Sequence, residues 1–250
     1  MTPGITLITP TGGRPESFAR CVSFVQRFEK PEGVPIQWII VDDCVSTARS
    51  LSVPGMWCMT IVPHPQWVSG MNSLGRNLLY AIPYVEHECI LFIEDDDFYA
   101  PEYLKSMYEG LQTANIVGEV PARYYHVPFR QYNVQGNFSH ASLCQTGIRS
   151  SLLSKLEDIC RAQDHEFIDV RLWRNQPTPL FLHTSFCIGM KGLPGRAGIG
   201  IGHRPDWNPQ SWKHDPDLSI LRNWMGTDTK LYFKEPNLER LQVRGSVVRR

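Results

Sequence analysis

The sequence has no apolar run near the ~20 residues that a membrane-spanning helix needs. Its first ten residues, MTPGITLITP, have no basic stretch followed by a long apolar one, so they do not read as a secretory leader. No CxxC pair occurs among Cys21, Cys44, Cys58, Cys89, Cys144, Cys160 and Cys187, and seven is an odd number. That excludes a zinc knuckle and a disulfide framework, and it points to buried free thiols in a reducing compartment. Net charge is also missing. Twenty-five Lys and Arg balance 25 Asp and Glu, and the pI is about 7.1, so no overall field draws nucleic acid or an anionic membrane. There is no internal repeat and no low-complexity segment. The expectation is a cytoplasmic protein with no membrane span.

What is present is enough for one large domain, or one domain with a small appendage: 250 residues, 42% of them hydrophobic. The charges are unevenly spread. Residues 1–120 hold 7 Lys and Arg against 14 Asp and Glu, leaving 18 and 11 in residues 121–250. An acidic half and a basic half suit a site that holds a metal on one side and an anionic ligand on the other. The sharpest local feature is CILFIEDDDFYAPEY, from Cys89 to Tyr103. Ile90–Ile93 has the composition of a buried strand, and Glu94, Asp95, Asp96 and Asp97 stand where that strand leaves its sheet. Four crowded carboxylates repel one another unless they are solvated or neutralised. Hard cations such as Mg²⁺ and Mn²⁺ take oxygen ligands of this kind and bridge them to phosphates.

The remaining pattern supplies a scaffold. Ile5–Thr9 reads as a strand followed by the loop Pro10-Thr11-Gly12-Gly13-Arg14, with Pro15 opening a helix whose inner face is Phe18, Cys21, Val22, Val25 and Phe28. Ile36–Val41 is a second buried strand, ended by Asp42 and Asp43, and Trp57–Val62 a third. Helices are expected within 69–85 and over 101–113. This alternation predicts a mostly parallel sheet covered on both faces, with ligands outside the carboxyl ends of its strands. The Gly12-Gly13 loop, Asp42, Asp43 and the acid cluster all fall at that edge.

These motifs, in this order, resemble family 2 glycosyltransferases of the GT-A fold. The likeness rests on PTGGR after the first strand, VDDCVST after the second, LGRNLLYAI at a helix start and FIEDDDFYAPEYL at the acidic strand end. Gly12-Gly13 stands where the family has a bulky residue and Asn, and Cys44 where it has Gly. The resemblance implies a donor site built from Thr11, Gly12, Arg14, Asp42, Asp43, Arg76 and Asp95, with Asn77 beside Arg76. Asp42 or Asp43 would meet the base or ribose, and Asp95 and Asp96 would reach ribose and metal. It places Mn²⁺ or Mg²⁺ on Asp96 and Asp97, with His203 completing the shell.

In the second half, residues 116–140 read as short antiparallel strands forming an acceptor-side wall, and 142–160 as a small-residue loop followed by a helix. QDHEFIDVRLW, from Gln163 to Trp173, takes the place of the family's Glu-Asp motif, so the resemblance makes Asp164 the general base, with Asp169 and Glu166 as alternatives. Pro179–His183 suggests a strand. Residues 187–205, with six Gly, do not follow the dinucleotide-binding pattern and read instead as a mobile lid whose Lys191, Arg196, His203 and Arg204 would cover a diphosphate. Residues 206–250, with Trp207, Trp212 and Trp224, are expected to pack as an extension on a catalytic domain spanning 1–205, with nucleotide binding in about 1–115 and acceptor binding in 116–205.

The function implied is metal-dependent transfer of a sugar from a nucleotide-diphosphate sugar, UDP-linked, to an acceptor hydroxyl with inversion. The acceptor is expected to be soluble: a saccharide, a metabolite, a protein or a hydroxylated base in DNA. The alternatives are a sugar-phosphate nucleotidyltransferase and a binding module that has lost turnover.

Overall fold

The computed structural model describes residues 1–45, 50–68, 73–136, 138–162, 167–196, 204 and 206–233. Its elements are β1 (Thr2–Thr11), α1 (Pro15–Gln26), β2 (Ile36–Asp42), β3 (Trp57–Ile61), α2 (Leu74–Ala81), β4 (His87–Phe92), β5 (Phe98–Tyr99), α3 (Tyr103–Leu111), β6 (Ile116–Glu119), β7 (Ala122–His126), β8 (Gln131–Gln135), β9 (Thr146–Arg149), α4 (Leu153–Ala162), α5 (Ile168–Trp173), β10 (Pro179–Leu182), β11 (Cys187–Lys191), β12 (Lys213–His214) and α6 (Ser219–Met225). Among the described residues, no helix is long and apolar enough to cross a membrane.

Seven strands form the main sheet in the order β10-β6-β9-β4-β1-β2-β3, and only β9 runs against its neighbours. The alternation of side chains explains why the central strands are apolar throughout. Ile5, Leu7, Trp38, Ile40, Cys89 and Leu91 face one core, which α1 and α3 fill with Cys21, Phe24, Val25, Leu104 and Met107. Ile8, Ile39, Val41, Ile90 and Phe92 face the other, filled by Leu78 and Ala81 of α2, Leu156 and Ile159 of α4, and Leu172 of α5. Pro15 opens α1, where its missing N–H costs no hydrogen bond.

The second sheet has the order β12-β8-β7-β11-β5 and is antiparallel apart from the β7–β11 pair. The chain crosses from the main sheet to this one between β4 and β5, and that crossing is the acid run Glu94–Asp97. The Glu94 amide donates to the Tyr99 hydroxyl at 2.9 Å, which secures the corner.

Three local expectations change. Ile116–Glu119 joins the main sheet as β6 instead of the acceptor-side wall. Thr146–Arg149, expected as loop, is β9, an inner strand of that sheet between β6 and β4. A Cβ on its Gly147 would stand 2.5 Å from Leu91 Cδ2, so the glycine lets neighbouring side chains close over the strand. Cys187–Lys191, expected as the start of a mobile lid, is a strand central to the second sheet; a Cβ on Gly189 would meet the Tyr124 ring at 2.5 Å. Here glycine serves packing, not mobility. In the C-terminal extension, Leu218, Leu221, Met225 and Phe233 join the core on the α1 side, and Trp224 meets Tyr132 edge-on at 5.6 Å. All seven cysteines are free; only Cys44 is exposed.

Candidate active site

The carboxyl ends of β1, β2 and β4 lie side by side, so their loops share one edge. The Asp43 amide donates to the Thr11 carbonyl at 3.2 Å, and the Thr11 hydroxyl donates to Asp95 Oδ2 at 2.5 Å. These two bonds tie the three strand ends together. Arg14 enters from the β1–α1 loop and donates to Asp95 and, at 2.9 Å, to Asp96 Oδ2. Burial alone would pull its guanidinium pKa down, but Asp96 and Asp95 outweigh that and hold it above its ordinary value. Such a group, removed from water, persists because its charge is matched, although its buried Nε has no hydrogen-bond partner among the described residues.

Glu94, Asp96 and Asp97 form the second part of the cluster. Each offers one oxygen, and these atoms lie within 4.8 Å of one another. The set is all hard oxygen, which fits Mg²⁺ or Mn²⁺ and not a thiophilic metal. Burial pushes the Glu94 acid up to about 8, and the charges of Asp97 and Asp96 add to the shift. A divalent cation would relieve that crowding. Asp97 is anchored from the second sheet: the Met190 amide donates to its Oδ1 at 2.8 Å, and Lys191 Nζ lies 3.8 Å away. Burial disfavours the Lys191 charge, but Asp97 and Asp96 prevail and raise its pKa. Beneath Asp97 lie the Cys144 and Cys187 thiols, the latter pushed up to about 12 by burial.

A separate polar group surrounds Asp43. Its Oδ1 accepts from Arg196 Nη1 at 2.6 Å, and its Oδ2 from Arg196 Nη2 at 3.2 Å and Asn77 Nδ2 at 2.9 Å. Gly12 is needed here, because a Cβ would fall 2.0 Å from Asp43 Oδ1. Asp42 turns instead to its own backbone, accepting the Cys44 amide at 3.2 Å.

The other sequence-derived candidates scatter. Arg76 donates to the Pro65 carbonyl and lies 5.5 Å over the Tyr80 ring, away from Asp43; Asn77, its neighbour, is the one that reaches it. Arg196 meets Asp43 at the end of β2, not the acid cluster. Arg204 is exposed, and its carbonyl accepts the Trp207 amide at 3.1 Å. Asp169 Oδ1 accepts the Val170 amide at 2.9 Å in the first turn of α5, and burial raises its pKa. Asp164, Glu166 and His203 lie outside the described residues. Two residues enter the site in places the sequence did not give them: Glu94, with no separate role within the acid run, and Lys191, expected to cover a diphosphate from a mobile lid. An E-x-D spacing is the signal for the first. For the second it is the short apolar run CIGMK, which is a strand.

The sequence profile described as "Glycosyl transferase family 2" matches residues 6–165, a stretch that carries the loops of β1, β2 and β4. The chain belongs to that family. No curated protein matches the sequence. Among solved structures, S. aureus TarS 1–349 in complex with UDP-GlcNAc aligns with a TM-score of 0.56 at 15% identity, over 96% of this chain and 72% of that one. The complex of the same fragment with UDP gives 0.52 at 15% identity, over 75% and 60%. A further S. aureus TarS structure gives 0.53 at 14% identity, and 75% of this glycosyl transferase family 2 chain spans only 36% of its length. At these identities the likeness is one of fold.

Proposed function

We propose that the protein is a metal-dependent glycosyltransferase that moves a sugar from a UDP-linked donor to an acceptor hydroxyl with inversion. One observation carries this reading: the corner between β4 and β5 gathers oxygens of Glu94, Asp96 and Asp97 within 4.8 Å, at the edge where the ends of β1, β2 and β4 meet. Family membership and the TarS complexes with UDP and UDP-GlcNAc support the donor class.

In this proposal Glu94, Asp96 and Asp97 hold Mn²⁺ or Mg²⁺, and when bound the ion supplies positive charge for the diphosphate that departs. Arg14 fixes Asp95 and Asp96 so that their carboxylates keep one direction. Lys191 holds Asp97 and adds a second, fixed positive charge beside the leaving group. Asp43 takes the base and Asp95 the ribose. Asp164 takes the proton from the acceptor hydroxyl; Asp169, in the first turn of α5, is the second choice.

A panel of nucleotide sugars with Mn²⁺, followed by release of nucleoside diphosphate, tests this. UDP-sugars are expected to turn over, and the anomeric signal of the product to show inversion. Pyrophosphate release from UTP and a sugar phosphate would make the protein a nucleotidyltransferase instead. Binding without turnover of any donor would leave a binding module.

A further inference from the structure

We infer that Trp67 is the stacking face for the donor's nucleobase, and that in the ligand-free protein Arg196 occupies the base's place. This rests on the donor site proposed above. The Arg196 guanidinium lies 4.7 Å from the centre of the Trp67 ring. At the same time its two terminal nitrogens fork onto Asp43, at 2.6 and 3.2 Å. A planar group over an indole, with N–H bonds directed at a carboxylate, is also how a uracil ring with its N3–H would sit. Arginine is the side chain able to imitate it, because its charge is spread over a flat fork.

The surroundings fit a base better than they fit a permanent ion pair. Asn77 is 1% exposed, and its Nδ2 donates to Asp43. Its Oδ1 is buried and has no hydrogen-bond partner among the described residues. A buried acceptor left unmatched costs free energy that a ligand N–H would return. The β1–α1 loop contributes no side chain to the pocket, since a Cβ on Gly12 would collide with Asp43 and come within 2.9 Å of Arg196 Nη2. The flat wall must therefore come from elsewhere. Trp67 provides it, placed by its amide, which donates to the Asp43 carbonyl at 3.0 Å.

Arg196 is held at this place through contacts of its guanidinium. Beyond Asp43 it contacts Cys44 Sγ at 3.4 Å and Ser73 Oγ at 3.3 Å. It stands past the end of β11, after Gly192 and Gly195, whose φ values of +71° and +110° suit glycine and give the segment its turn away from the sheet. Displacing Arg196 therefore leaves the β11 pairing intact.

The test is titration of uridine and of UDP, without metal and followed by tryptophan fluorescence, into the full chain, Arg196→Ala, Trp67→Leu and Trp67→Phe. Removing the competitor is expected to tighten uridine binding to Arg196→Ala by about fivefold. Trp67→Leu is expected to weaken it about tenfold, with Trp67→Phe between. Circular dichroism identifies any variant that has lost its fold, and Arg196→Ala, altered at a side chain 15% exposed, carries the test when its spectrum is unchanged. Uridine binding that is unchanged or weaker in Arg196→Ala, while UDP still binds the unaltered protein, overturns the inference and leaves the donor reading standing. Failure of UDP to bind any of the four proteins once Mn²⁺ is added removes both.

Discussion

Asp96→Asn is expected to lower turnover of a UDP-sugar by about 10²–10³-fold, with the fold preserved. Asp96 is 4% exposed and is one of three carboxylates whose oxygens lie within 4.8 Å. The amide keeps the shape and can still accept from Arg14, so the substitution removes charge and little else. A cation held by Glu94 and Asp97 alone would lose a hard anionic ligand, and with it much of the positive charge opposite the departing diphosphate. Steady-state release of UDP measures the loss, and the electron paramagnetic resonance of titrated Mn²⁺ measures the weakened site. Unchanged turnover would remove Asp96 from the metal site.

Arg14→Met is expected to destabilise the protein by about 3–5 kcal/mol, a drop in Tm of roughly 6–20 °C for a chain of this size. The pair it breaks is nearly dry: the Arg14 side chain is 15% exposed, Asp95 0% and Asp96 4%. Methionine replaces the volume but leaves both carboxylates with one less counter-charge, and burial forbids water from compensating. A second readout separates this cause from lost packing. Mn²⁺ neutralises the same cluster, so saturating Mn²⁺ should raise the Tm of Arg14→Met more than that of the unaltered chain. Equal increments in both would mean that Arg14 and the cation act on different carboxylates.

Much of this was legible in the sequence because the central strands are continuous apolar runs with acids at their ends. Ile36–Val41 before Asp42-Asp43, and Ile90–Ile93 before Glu94, place themselves: a strand buried on both faces has no other composition, and its polar end has nowhere else to go. β9 was not legible. Thr146–Arg149 has one large apolar residue, Ile148, and its burial comes from Leu91, Leu111 and Met107 closing over Gly147. That is a property of the assembled fold. β11 failed for a related reason, since glycine at 189 reads as freedom until the Tyr124 ring is seen above it. Within Glu94–Asp97 four acids look alike in sequence. The corner between β4 and β5 sorts them, giving Asp95 to Thr11 and Arg14 and bringing Glu94 together with Asp96 and Asp97. Arg76 and Asn77 are adjacent, and only the turn of α2 decides that Asn77 is the one facing Asp43.

In the proposed mechanism the gathered strand ends hold a divalent cation and, through it, a diphosphate. Calorimetric titration of UDP with and without saturating Mn²⁺ tests it most directly. Binding at least about tenfold tighter with Mn²⁺, a gain of about 1.4 kcal/mol, with the difference abolished in Asp96→Asn, is the predicted result. Equal affinity for UDP in the presence and absence of the ion would contradict it.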